Sequence, residues 1–480
     1  MGEAALLCGK VRSPLKSLSS DPSLVISGTG SSIEYKTMSK SPESPNPHRE
    51  RVAVIGSGVA GLTAAYLLQR RYDVVLLEAD ARLGGHAHTH TVATADAGKV
   101  EVDSGFIVHN RVTYPNLVRL FDELGVVTQP SDMSMSVRCN GCGLEYAGAL
   151  GLRGVFASPK SAVTFPYLRM LFEVNKFYRQ ARPVASETSQ TKPGDKAGID
   201  ITLGEFLDRG GFSLYFRRHF MVPVVSAVWS VAPETALEYP ARYLFAFMAN
   251  HGMLSVGGSH QWYTLVGGSR SYVEAAVKGV REVRLSAPVT AVSPHAPDAS
   301  GGRSVTVRFA DGSSEVFDRV VVATHPDQAL SILQNPTEVQ RRVLGAFRYS
   351  RNEVTLHKHP DVLPRRSRAR ASWNYLLDGC DAGGDRALVS YDMNRLSSLA
   401  TTAPHIVTLN CDDRIPADRV IARMVYEHPI YTPESVKAQA ALGGLNDGTI
   451  AFAGAYHGWG FHEDGCRAGV AAAASFGVSW

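Results

Sequence analysis

Three glycines, Gly56, Gly58 and Gly61, sit at the junction of two runs of opposite character. Before them, "RVAVIG" is short and β-branched. After them, "VAGLTAAYLLQRR" has helical composition and apolar spacing, and "DVVLLEA" is a second apolar run. The pattern predicts strand, helix and strand, which is a βαβ unit with parallel strands. In the GxGxxG spacing the first glycine permits a tight turn. The second leaves room for a pyrophosphate, and the third lets the helix approach the sheet. Helix N-terminal amides, at Val59 and Ala60, then face the phosphates.

Glu78 closes the second strand, with Ala79 behind it. A carboxylate there accepts hydrogen bonds from both ribose hydroxyls and repels a 2′-phosphate, so NADP is disfavoured. Arg82-Leu83-Gly84-Gly85 comes next, followed by His86. The combined pattern E-x3-R-x-G-G resembles the two-part dinucleotide signature of the amine oxidase and phytoene desaturase flavoprotein superfamily. The resemblance implies FAD. It gives Arg82 a reach to the pyrophosphate, and Gly84 and Gly85 a close backbone approach to the cofactor.

The resemblance runs over about residues 50–478. "VDSGFIVHNRVTYPNLVRLFDELGV" is similar to the segment beside the isoalloxazine, which implies that Ser104, Gly105, Phe106 and Ile107 line the flavin. In "RLSAPVTAV" it implies that Val289 meets the adenine through its main chain, and in "DRVVVATHP" that Thr324 faces the cofactor. "FAGAYHGWGFHEDGCRAG" resembles the C-terminal flavin motif, with Gly454 and Ala455 after a strand and Glu463, Asp464 and Gly465 opening the last helix. Amides at that helix N-terminus would face the flavin pyrimidine edge. A narrower likeness, through "TQPSDMSMSV", "LEYAG", "GGSRSYV", "SWNYL", "YEHP" and "GFHEDG", is to predicted NAD/FAD-binding flavoproteins. Related sequences are fused to plant cyclopropane fatty acid synthases. Two departures from the superfamily put amine oxidation in doubt. Asp464-Gly465 replaces the usual glycine-alanine pair, and Ala455-Tyr456 follows Gly454 where an acid is usual.

The expected fold is α/β, a Rossmann-like FAD-binding domain with a second, mixed α+β substrate domain built from chain insertions. The FAD-binding domain is expected from residues 50–130, 263–335 and 446–480, and the substrate domain from 131–262 and 336–445. Residues 1–49 are rich in Ser, Pro and Lys, lack periodicity and read as a disordered tail. Leu6 stands where a myristoylation motif needs Ser or Thr. Acids in the tail speak against a transit peptide.

A net charge of +4 on 480 residues gives no argument for nucleic acid. The longest apolar run, residues 221–232, is interrupted by Pro223, so no membrane span is expected. Six cysteines are too sparse for a disulfide framework and fit a reducing, cytosolic setting. Peripheral membrane contact, organelle targeting and oligomeric state are left open.

Tyr456, His457, Trp459 and His462 follow the last predicted cofactor strand and are the catalytic candidates, with His251 and Asn374 as further polar groups. "SAVWSVAP", "ARYLFAFMANHGML" and "SWNYL" are apolar and aromatic. They line either a tunnel for a long substrate or an ordinary helical core. "HAHTH" alternates His86, His88 and His90 but has no carboxylate or cysteine nearby. Cys139-Asn140-Gly141-Cys142 is a CxxC without a partner pair, so no metal is expected. Arg365, Arg366, Arg368 and Arg370 read as a solvated loop. The expected function is an FAD-dependent oxidoreductase taking hydride from an apolar, lipid-like or isoprenoid small molecule. The alternatives are amine oxidation, a flavin isomerase, or an accessory subunit of a lipid-modifying enzyme.

Overall fold

The computed structural model describes residues 49–187, 201–255, 257, 259–297, 299, 302–381 and 386–480. Residues 1–48 of the predicted tail at 1–49 lie outside the described residues, as do residues 188–200. The βαβ unit is formed by β1 (Arg51–Ile55), α1 (Val59–Leu68) and β2 (Asp73–Leu77). The chain leaves through α2 (Pro115–Leu124), which stops at Gly125 in the left-handed conformation common at helix C-termini. It makes the hairpin of β3 (Met135–Cys139) and β4 (Glu145–Ala147), then the helices α3 (Phe165–Glu187), α4 (Val222–Trp229) and α5 (Ala241–Asn250). It returns as β5 (Glu282–Arg284) and β6 (Arg319–Val322). A second excursion supplies β7 (Arg348–His357), β8 (Trp373–Leu377), β9 (Val389–Asp392), β10 (Ile406–Leu409) and β11 (Val420–Ile430). The chain returns once more as β12 (Ile450–Phe452) and α6 (His462–Ser475).

Five strands pair in the order β5-β2-β1-β6-β12, all parallel. Numbered by appearance this is 3-2-1-4-5, the doubly wound order in which ligands bind past the carboxyl ends where the order reverses. Strand alternation divides the two faces. Val52, Val54, Val74 and Leu76 join the core under α1 and α6, while Ala53, Ile55, Val75 and Leu77 face a three-stranded antiparallel sheet. The predicted strand "RLSAPVTAV" is in fact two. Glu282–Arg284 belongs to the parallel sheet and Val289–Pro294 to the antiparallel one, with Ser286 at a positive φ of 49° turning the chain between them.

The larger sheet runs β11-β7-β10-β9-β8-β3-β4 and is antiparallel except for β8 with β3. With the helices between residues 165 and 250 it encloses a second core. Among the described residues no helix is long and apolar enough to cross a membrane.

Candidate functional site

A cavity of about 830 Å³ begins where β1, β2, β6 and β12 end, at Gly56, Glu78, Thr324 and Gly454, and extends to the larger sheet at Trp373 and Tyr391. Small-molecule sites occupy roughly 300–1,000 Å³.

The three glycines at its mouth play different parts. Gly56 has φ +96°, and a Cβ there would lie 2.7 Å from the Ala323 carbonyl oxygen. A Cβ on Gly61 would lie 1.9 Å from the Gly56 oxygen, so the helix touches the turn at that point. A Cβ on Gly58 would meet nothing within 4 Å, because that glycine faces the cavity. Ser57, which the sequence reading passed over, joins the pieces. Its amide donates to Glu78 Oε2 at 2.8 Å, its hydroxyl also bonds Glu78, and the Gly84 amide donates to its Oγ at 3.1 Å. The acid, the turn and the second glycine pair are therefore one hydrogen-bonded unit.

Val59, Ala60, Ala79, Gly85 and His86 line this end, and Val289 lines it from the antiparallel sheet. Ser104, Gly105, Phe106 and Ile107 line it further in, with Ala455 beyond Gly454. Gly61, Gly84 and Arg82 do not line the cavity. The Arg82 guanidinium donates to the Gly85 carbonyl at 2.8 Å and to the carbonyls of Leu83 and Ala87, holding the glycine loop in shape.

The catalytic candidates separate into two pairs. Tyr456 and His462 line the cavity, and the Tyr456 hydroxyl and His462 Nε2 are buried without a hydrogen-bond partner. Burial raises the Tyr456 pKa and lowers that of His462 to about 3, so both are neutral near pH 7. The His462 ring stacks on Phe106 at 3.7 Å. His457 and Trp459 lie outside the lining. The Trp459 ring packs on Tyr243 and Phe247, and its carbonyl accepts from Trp229 Nε1 at 3.1 Å. His251 lines the cavity, whereas Asn374 is tied into the sheet, its Oδ1 accepting from Ser136 Oγ at 2.8 Å.

Glu463, Asp464 and Gly465 also lie outside the lining, although Phe461 and His462 at the start of α6 are part of it. Glu463 instead accepts from the Asn116 and Leu117 amides and the Asn116 side chain, at 3.2, 3.0 and 2.6 Å. It caps α2 from another helix, where Tyr114 offers no side-chain cap. A Cβ on Gly465 would lie 2.6 Å from Val59 Cγ1, which places α6 hard against α1. Asp464 accepts the Phe461 amide at 3.1 Å and pairs with Arg467 at 2.8 Å.

Burial pushes the Asp464 carboxyl from 3.8 up to about 6. A carboxyl that binds its proton more tightly when folded favours the fold at low pH and loses that advantage as pH rises through the window from 3.8 to about 6. Relative to Asp464→Asn, the wild type should lose ~2 kcal/mol of unfolding free energy across that window. Denaturant titrations of both proteins at its two ends measure this, and parallel curves would contradict it.

The cavity also holds a set of rings. Tyr426 and His428, on one face of β11, line the cavity with Tyr349 and His325. His86 lies 5.0 Å from the Tyr426 ring and 5.5 Å from His428, and His325 stacks on Tyr349 at 4.1 Å. Burial, with His428 and His325 close by, lowers the His86 pKa well below its ordinary value. The alternating "YEHP" was the available signal. "HAHTH" belongs to the same network. His88 bonds the Tyr426 hydroxyl at 3.0 Å, and His90 bonds Ser104 Oγ at 2.9 Å.

A sequence profile for flavin containing amine oxidoreductases matches residues 59–354. A provisionally described flavin-containing monoamine oxidase of Mycobacterium tuberculosis is 28% identical over 295 residues, 59% of each chain. The (S)-6-hydroxynicotine oxidase of Paenarthrobacter nicotinovorans is 24% identical over 291 residues, 60% of this chain and 63% of that one. The chain thus spans about three fifths of the length of the curated relatives it matches. The fold is shared with cyclohexylamine oxidase from Brevibacterium oxydans, at TM-score 0.63 and 18% identity, covering 89% of this chain and 98% of that one. It is also shared with a fatty acid isomerase from P. acnes, at TM-score 0.60 and 15% identity, covering 88% and 97%.

Proposed function

The chain belongs to the flavin containing amine oxidoreductase family, whose cofactor is FAD, and from that premise we propose that it is an FAD-dependent oxidoreductase acting on an apolar, lipid-like substrate. The residues present fit FAD. Gly58 leaves the turn open to a pyrophosphate, Glu78 stands at the end of β2, and Tyr456 and His462, each with one buried polar atom that has no hydrogen-bond partner, line the cavity.

The far half of the cavity carries the substrate class. Met133, Phe220, Val224, Val228, Phe247 and Met248 line it. The lining carboxylates among the described residues are Glu78 and Asp80, past the end of β2, and Glu427, which sits 3.4 Å from His325. An ammonium entering the apolar half would lose water without gaining a carboxylate, at a cost of several kcal/mol. An alkyl or isoprenoid chain would gain ~25 cal/mol per Å² buried.

Bound FAD supplies a two-electron acceptor. The protein supplies the rest. The turn at Gly56–Ala60 and the N-terminus of α1 hold the phosphates, Glu78 holds the ribose, and Val289 meets the adenine. Phe106 and the first turn of α6 border the ring system, and the walls from α4 and α5 exclude water. His462 Nε2 and the Tyr456 hydroxyl, both neutral, are the groups placed to hold or pass a proton.

Anaerobic mixing with panels of fatty acids, isoprenoids and amines tests this reading. Bleaching of the flavin by an apolar substrate is the expected result. Bleaching by amines alone would replace it with amine oxidation, the second reading, which the named activities of the relatives favour. Val228→Trp, which fills the apolar half, should retain flavin and lower kcat/KM for a long substrate roughly tenfold or more. Unchanged kcat/KM would move the substrate elsewhere.

A further inference from the structure

We propose that Cys139, Cys142, His219 and Cys380 form a zinc site that braces the substrate half of the molecule. The CxxC occupies the turn between β3 and β4. Its missing partners come from far away in the chain. β8 lies parallel to β3 in a register that sets Leu377 opposite Cys139, and the Asn140 amide donates to the Leu377 carbonyl at 2.8 Å. That pairing brings Cys380, 241 residues from Cys139, to the turn. The approach is tight, since a Cβ on Gly141 would lie 2.8 Å from the Cys380 amide nitrogen. His219 comes from a π-helical stretch, Arg217–Met221, and such bulges recur at functional sites.

One ligand atom from each of the four residues lies within 4.8 Å of all the others. The Cys139 and Cys380 sulfurs are 3.7 Å apart, and Cys142 Sγ is 3.6 Å from His219 Nε2. A zinc tetrahedron with Zn–S of ~2.3 Å and Zn–N of ~2.05 Å has S···S edges of ~3.8 Å and S···N edges of ~3.6 Å. Two of the six edges thus already have tetrahedral length, and the other four are within 4.8 Å.

The outer contacts agree. His219 Nδ1 donates to the Tyr215 carbonyl at 3.2 Å, which leaves Nε2 as the lone-pair nitrogen facing the thiols. Three sulfurs and one imidazole in tetrahedral array select zinc over the hard cations, and four protein ligands leave no open position, so the ion is structural.

None of the four residues lines the cavity, so the site does not depend on the flavin. The elements it joins do reach the cavity. β3 contributes Met135, β8 contributes Trp373, and the helical run from 217 to 229 contributes Phe220. Zinc would fix these walls relative to one another.

Metal analysis of the flavin-loaded, full-length protein, purified under reducing conditions with zinc in the medium, should give about one zinc per chain. Cys142→Ser and Cys380→Ser should each lose it, while Cys411→Ser, in a separate apolar cluster, should keep it. After chelation, cobalt should restore occupancy with d–d absorption to the red of the flavin bands, a readout on the wild type that no misfolded variant can imitate. Wild-type protein lacking both zinc and a cobalt spectrum would overturn the proposal. So would zinc retained in both variants, or peptide mapping that finds Cys139 and Cys380 joined as a disulfide in metal-free protein.

Discussion

Gly61→Val should fail to fold, while Gly58→Val should fold and lack flavin. At position 61 the new Cβ would stand 1.9 Å from the Gly56 oxygen, a backbone atom in a turn that itself touches Ala323. α1 has little room to retreat. Nearly all its residues are buried, and the chain of α6 lies behind it, where a Cβ on Gly469 would come within 2.4 Å of the Ala60 oxygen. Overpacking against backbone on both sides is expected to cost more than ~4 kcal/mol. Position 58 is different. Its φ of −62° and ψ of 174° suit any residue, and an added Cβ meets nothing within 4 Å. The valine would instead occupy the space where a pyrophosphate meets the turn, lowering FAD affinity roughly a hundredfold or more, about 2.7 kcal/mol. Denaturant unfolding and flavin titration of both variants read the two effects. Wild-type FAD affinity in Gly58→Val would mean that the phosphates lie elsewhere.

The second large effect concerns Glu463. Its carboxylate is buried and accepts three donors from the start of α2. Glu463→Ala would leave two backbone amides and one side-chain amide without an acceptor in a closed interface. Hydrogen bonds to a charged group are worth ~1.5–3 kcal/mol each, and the losses overlap, so a net cost of ~3 kcal/mol is expected by chemical denaturation. Its neighbour His462 stacks on Phe106 at the cavity, so flavin affinity should fall with stability. A variant that loses stability but binds flavin normally would show that the cap and the cofactor wall are independent.

Glu463 also shows where reading a sequence reaches its limit. The C-terminal motif marked the correct segment, because a strand, a glycine loop and a small-residue helix leave a local trace. It could not say that both acids turn away from the cavity and that one of them caps another helix, since that depends on where α2 lies. The glycine turn and Glu78 were legible for the same local reason: turn geometry and strand ends are set by neighbours in the chain. Ser57 was not legible, because its role needs Glu78 and Gly84 together in space. His428 and Tyr426 needed the pairing of β7 with β11, and Cys380 needed that of β8 with β3. The two long insertions therefore carry the unread part of the site, and the apolar stretches in them could be named as tunnel or core but not assigned.

The order of strands in the nucleotide sheet has a consequence for biosynthesis. β1 pairs with β6 at Val52 and Arg319, and β6 pairs with β12 at Val320 and Ile450. The helix that packs on α1 begins at His462. Contacts this distant in sequence form late and slowly. On the ribosome, the glycine turn emerges hundreds of residues before the strands that complete its sheet. The dinucleotide half is thus a latecomer to its own domain, complete only once the chain through the 460s has left the ribosome. Until then the chain depends on whatever shields its open strand edges.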